Sequence, residues 1–139
     1  MTPFPLRLPP GADLRAALEA VLHEQSAQAA FVLCGIGSLS HAHIRLAGAE
    51  HLTALDGDLE ILTLSGTLAD NGAHLHISVA DAQGHVIGGH VSPGCTVRTT
   101  AEVLLALLPG WHFSRQPDPA TGYAELSWIR RGETPDSIA

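Results

Sequence analysis

Two alternating runs joined by a glycine turn constrain this chain more than any other feature. In AHLHISVADAQGHVIGGHV, which begins at Ala73, apolar and polar side chains alternate on both sides of DAQG. A three-residue loop, Ala82-Gln83-Gly84, suits a type I turn with glycine in the left-handed position and pairs Asp81 with His85. Counting outward, Val79 faces Ile87, Ile77 faces Gly89 and His76 faces His90. Side chains two apart share a face. Leu75, Ile77, Val79, Ile87 and Val91 therefore make a core face, and His74, His76, Ser78, Gly88 and His90 make a polar one. A one-residue slip would move His90 to the opposite face.

The rest of the chain reads as more strands and two helices. LPPGADLRAALEAVLHEQ predicts a helix with Asp13 as its N-cap and Leu14, Leu18, Val21 and Leu22 as its apolar stripe. TTAEVLLALLPG predicts a second: Thr99 and Glu102 have capping-box spacing, and Pro109 stops it. AAFVLCGI predicts a buried strand with a tight exit at Gly35-Ile36-Gly37-Ser38. SHAHIRLA alternates, with His41, His43 and Arg45 on one face. LEILTLSGTLA is a longer strand with Gly66 as a bulge, and GYAELSWIR closes the domain. The expected fold class is α+β, a mainly antiparallel sheet with two helices. One domain is expected over 1–130 and a flexible tail over 131–139.

Composition narrows the function classes. The chain has 139 residues, 45% of them hydrophobic, which is enough for a core. The apolar runs are too short to span a bilayer, and MTPFPLRLPPG has no basic region followed by an apolar stretch. The expectation is a cytoplasmic protein without membrane association. Cys34 and Cys95 lie in apolar runs and are expected as buried free thiols. There is no lysine, and the net charge is −7. Duplex DNA is bound through cation–phosphate contacts, so this balance disfavours DNA as a partner.

His74, His76 and His90 are the candidate metal ligands. Positions two apart on a strand lie roughly 7 Å apart and opposed cross-strand positions roughly 5 Å apart, close enough for imidazoles to converge on one ion. Three imidazoles with an open fourth position are what a catalytic zinc site uses. Spacing alone leaves a solvent-facing trio as the alternative reading.

The order of GIGSL, IRLAG, GDLEILTLSGTL, GAHLHISVADAQGHVIGGHV, GCTVRTTAEVLL and SRQPDPATGYAELSW resembles the plants-and-prokaryotes-conserved (PPC) domain in its bacterial form, over about Leu6 to Trp128. The resemblance implies an α+β domain that assembles as a homotrimer. It also implies a divalent metal, expected to be zinc, on His74, His76 and His90. Bacterial members carry a DNA-binding label. In plant relatives DNA contact comes from a separate R-G-R-P hook, which this sequence lacks, and the domain itself serves oligomerisation and partner binding.

Arg45 and Glu60 match polar positions characteristic of the family. They are the candidate catalytic pair, Glu60 as a base or water-positioning group and Arg45 as a clamp for a small anionic ligand. The alternative is an Arg–Glu pair that orients the trimer. Arg45, Glu60, Ser78, Gly88 and Arg98 are the expected ligand-binding set, with Arg98 at the start of the second helix. His41 and His43 form another H-x-H without a third partner. His23, His51, His85 and His112 are expected at the surface. Three functions remain open: a trimeric metal-dependent ligand-binding or reacting protein, a DNA-associated regulator, and an oligomerisation module.

Overall fold

The computed structural model describes residues 1–133. Residues 134–139, most of the expected tail, lie outside them. In chain order the elements are β1 (Thr2–Leu8), α1 (Leu14–Glu24), β2 (Ala29–Arg45), β3 (Leu52–Ala69), β4 (Gly72–Ala80), β5 (Val86–Val91), β6 (Thr96–Leu107), β7 (Trp111–Pro117) and β8 (Ala124–Arg130). The main sheet has six strands in the order β1-β6-β2-β3-β4-β5, and all its pairings are antiparallel. The end of β5 returns to β2, pairing Ile44 with Val91 and Arg45 with His90. That contact closes β2, β3, β4 and β5 on themselves and turns the histidine-bearing face outward.

The helix forms where the sequence places it. The Asp13 carboxylate accepts the Ala16 N–H at 2.9 Å, and the same side chain accepts from Gly94 at 2.6 Å. Leu14, Leu18, Val21 and Leu22 are all buried. They join one core with Ile44, Leu64, Leu75, Ile77, Val79, Val91, Val97 and Leu105. Each such aliphatic side chain contributes about 1.5–3 kcal/mol of burial.

The second expected helix is a strand. Residues 96–107 form β6 between β1 and β2, with Ala101, Val103, Leu105 and Leu107 facing the core. Helix propensity differs by less than about 1 kcal/mol per ordinary residue, and two flanking strands offer a full ladder of hydrogen bonds instead. Thr99 caps nothing; its hydroxyl meets that of Ser38 at 2.7 Å. Arg98 accordingly sits in a strand, not at a helix start.

Strands β2 and β3 depart from the expectations in three ways. β2 does not exit at Gly35–Ser38 but continues to Arg45, absorbing register irregularities between Val32 and Cys34, Gly37 and Leu39, and Leu39 and His41. Its outer face leaves Phe31, Leu33, Cys34 and Ile36 exposed, so Cys34 is not buried, while Cys95 is, and burial raises its thiol pKa. Gly66 is not a bulge, since it pairs in register with Leu75; the irregularity falls between Ile61 and Thr63. β7 and β8 form a separate hairpin docked by backbone bonds from Phe113 to Gln28 and from Asp70 to Phe113.

Candidate metal centre and adjoining cleft

The hairpin β4–β5 has the register the turn predicts. Asp81 and His85 close the loop, with the Asp81 N–H donating to the His85 carbonyl at 3.0 Å, and the Asp81 carboxylate accepts the Gln83 and His85 amides at 2.9 Å each. His76 then pairs with His90, Ile77 with Gly89, Ser78 with Gly88 and Val79 with Ile87. Leu75, Ile77, Val79 and Val91 are buried inside, and the three histidines lie outside.

Their ring nitrogens converge. His74 Nε2 is 3.1 Å from His76 Nε2 and 3.1 Å from His90 Nδ1, and the last two are 3.2 Å apart. Two nitrogens bonded to one ion at about 2.05 Å are about 2.9 Å apart at a right angle and about 3.3 Å apart at the tetrahedral angle. All three edges fall between those limits, so the donor set fits a divalent ion. The charge state suits it as well. Burial, and then the Arg115 guanidinium and the neighbouring imidazoles, lower the His74 pKa. Burial, then Arg45 and His76, lower that of His90. Both rings are thereby held in the neutral, ligating form.

The backbone beneath the triad is braced on two sides. On one, Arg15 of α1 donates to the carbonyls of Ala73 and Val91, each at 3.0 Å, and its partner Glu19 accepts the Ala73 N–H at 3.1 Å. Those two residues adjoin His74 and His90 in the chain. On the other side, Gly66 of β3 lies so close to β4 that a Cβ there would be 2.0 Å from the His74 carbonyl oxygen. Only a residue without a side chain allows that approach.

A cleft of about 600 Å³ opens beside the triad, lined by Arg15, Arg45, His74, His90, Arg115 and Glu125 among others. Three of the chain's seven arginines thus meet in one concavity. Arg115 donates to the Thr67 hydroxyl, while its buried Nε has no hydrogen-bond partner among the described residues. The Asn71 side chain holds the Arg115 backbone through bonds of 3.0 and 2.7 Å.

Of the other expected site residues, Arg45 is beside His90 on this cleft. Ser78 and Gly88 are the next pair on the same face of the hairpin, and the Ser78 hydroxyl meets that of Thr63 at 2.7 Å. Glu60 and Arg98 lie elsewhere. Glu60 pairs with Ser38 in the middle of the β2–β3 ladder and Arg45 with Leu52 at its end, so a single chain does not bring Glu60 and Arg45 together. Arg98 pairs with the Asp58 carboxylate at 2.8 Å. His23, His51 and His85 are exposed, and His112 is half-buried, 2.7 Å from Asp70. Arg15, Glu19 and Arg115 were not singled out by the sequence. The first two carried one signal, an i,i+4 pair on a helix, which ordinarily marks a solvated face.

Comparison with known proteins places this arrangement. The family model for the Plants and Prokaryotes Conserved (PCC) domain matches residues 1–109. The chain belongs to this family. The match ends before β7, short of the Trp128 that the sequence motifs suggested. The solved structure of a protein from Salmonella enterica is 42% identical to this PCC chain and superimposes with a TM-score of 0.90 over 94% of each chain. A metal-containing protein from Archaeoglobus fulgidus is 30% identical, with a TM-score of 0.76 over 94% of each chain. Proteins called bifunctional protein GlmU from two Synechococcus strains are 55% identical over 123 residues, 88% of this chain. The PCC chain spans 20% of the length of those curated relatives.

Proposed function

We propose that this PCC domain is a homotrimeric, cytoplasmic protein that holds one divalent ion, zinc in the first instance, on His74, His76 and His90. The adjoining cleft takes a small anionic ligand. The observation that carries the reading is the convergence of three ring nitrogens at 3.1–3.2 Å. The metal-containing A. fulgidus relative, at 30% identity, supports it. The bound ion would act as a Lewis acid or lower the pKa of a bound water.

The chain's own residues would bind and orient the ligand. Arg45 and Arg115 offer planar, forked donors suited to a carboxylate or phosphate. Glu125, the acid on the same rim, would limit how much negative charge the cleft accepts. Ser78 and Gly88 extend the polar face past His76. In this reading Glu60 and Arg98 serve the ligand only if assembly brings them from a neighbouring copy.

The trimer is supported by the exposed apolar row on β2, where Phe31 is 40%, Leu33 49% and Ile36 59% exposed. Such a contiguous apolar surface marks an interaction site. No helix among the described residues is long and apolar enough to cross a membrane. DNA binding is the competing function, and the net charge of −7 weighs against it.

Equilibrium dialysis of untagged, metal-stripped protein against Zn²⁺ tests the site. High-affinity uptake that disappears in His76→Ala, with the fold retained, is the expected result. Unchanged uptake in a His74, His76 and His90 triple alanine variant would end the proposal.

A further inference from the structure

A second pair of imidazoles meets on β2, away from the triad. His41 and His43 share the outer face of that strand, and their Nε2 atoms are 3.0 Å apart. The other nitrogen of each ring is already committed. Nδ1 of His43 is 3.1 Å from the Pro93 carbonyl oxygen, which can only accept, so this nitrogen carries a proton. Nδ1 of His41 is 2.5 Å from the Asp56 carboxylate and donates to it. A neutral imidazole has one N–H. Both Nε2 atoms therefore present lone pairs, and they present them to each other. Two lone pairs at that distance repel unless a cation lies against both.

We infer that Nε2 of His41 and Nε2 of His43 form a second divalent-metal site, separate from the triad. The 3.0 Å separation lies between the spacings of about 2.9 and 3.3 Å set by right-angle and tetrahedral bonds of about 2.05 Å. The outer partners are those a metal-binding histidine uses: its second ring nitrogen donates to a carboxylate or a backbone carbonyl, which fixes the tautomer and raises ligand basicity. Asp56 and Pro93 supply one of each. The turn after Pro93 is shaped to the ring, since a Cβ on Gly94 would be 2.5 Å from His43 Nδ1. The His41 side chain is 32% exposed, so water can complete the coordination. Arg45 follows on the same face of β2 and pairs with His90, so the two sites line one outer face with Arg45 between them.

Two protein ligands bind more weakly than three, so the pair should appear as a second, weaker class. Untagged full-length protein, stripped of metal and dialysed against Zn²⁺, is expected to take up two ions per chain in two classes. His41→Ala should remove the weaker class and leave the stronger one; His76→Ala should do the reverse. Asp56→Asn keeps both rings and is expected to weaken the second class about tenfold or more without changing stoichiometry. It also provides a test should His41→Ala disturb the fold. One ion per chain at millimolar Zn²⁺, unaltered by His41→Ala or Asp56→Asn, would mean that the cation between the rings is only a proton, and would overturn the inference. Loss of both classes in a folded single variant would overturn the separateness of the sites.

Discussion

Gly66→Ala links the fold to the candidate metal centre. The added Cβ would be 2.0 Å from the His74 carbonyl oxygen, 2.9 Å from the Leu75 Cα and 3.0 Å from the His74 carbonyl carbon. An ordinary carbon–oxygen contact is about 3.3 Å or more, so β4 must move by more than about 1 Å at His74. The backbone of Gly66, at φ 149°, is also one that side-chain-bearing residues rarely adopt. The strained backbone costs about 1–3 kcal/mol, and each weakened ladder bond about 1 kcal/mol more. Together they give a loss of about 2–4 kcal/mol, a large share of a typical domain stability of about 5–15 kcal/mol. A shift of that size at His74 also opens the nitrogen triangle, and Zn²⁺ affinity should fall at least about tenfold, the lower end of what misoriented ligands cost. Gly72→Ala is the control. Gly72 has φ 145°, two residues before His74, but a Cβ there would have nothing within 4 Å. It should pay for the backbone alone and keep its metal. Urea unfolding and Zn²⁺ dialysis of both variants decide the matter. If Gly66→Ala matches Gly72→Ala in stability and binds metal like the wild type, the reasoning that β3 positions His74 is wrong.

Acidification should release the metal at a lower pH than free imidazole would dictate, because burial first, and then neighbouring cations, depress the pKa of His74 and His90. The same shifts set the sign for the metal-free fold. The unfolded chain takes up protons near pH 6.5 before the folded one does, so stability should fall as pH drops below about 6.5 and level off once the folded rings titrate; thermal melts across pH 4–8 check this. Leu33→Asp places a charge in the exposed apolar row of β2 and should convert a trimer to the 14.5 kDa monomer in light scattering, whereas a wild-type monomer would remove the assembly claim. At physiological salt the protein should not retard duplex DNA at submicromolar concentration, and a salt-sensitive shift there would show that its arginines act together on phosphates.

The hairpin was legible because two independent local rules agree on it. The DAQG turn sets the register and the period of two sets the faces, and neither needs distant contacts. Helix α1 was legible for the same reason, through Asp13 and its apolar stripe. β6 was not. TTAEVLLALL contains good helix formers, and toward its end Leu105, Ala106 and Leu107 are all buried, which blurs the alternation of a strand. Its identity comes from β1 and β2 on either side, which no window of sequence contains. AAFVLCGI read as wholly buried because both its faces are apolar, yet one is exposed at Phe31 and Leu33. The bracing of the site by Arg15, and the approach of Arg115 from the β7–β8 hairpin, depend on contacts 58 and 48 residues apart. Asp56, the missing partner of His41, lies across the β2–β3 ladder, past a bulge that shifts the register.

Anomalous diffraction at the zinc edge, from crystals of untagged protein equilibrated with Zn²⁺, locates the ion. A strong peak is expected within bonding distance of His74 Nε2, His76 Nε2 and His90 Nδ1, with His90 bonded through Nδ1 rather than Nε2. Saturated crystals with no anomalous density among these three rings would contradict the three-histidine site.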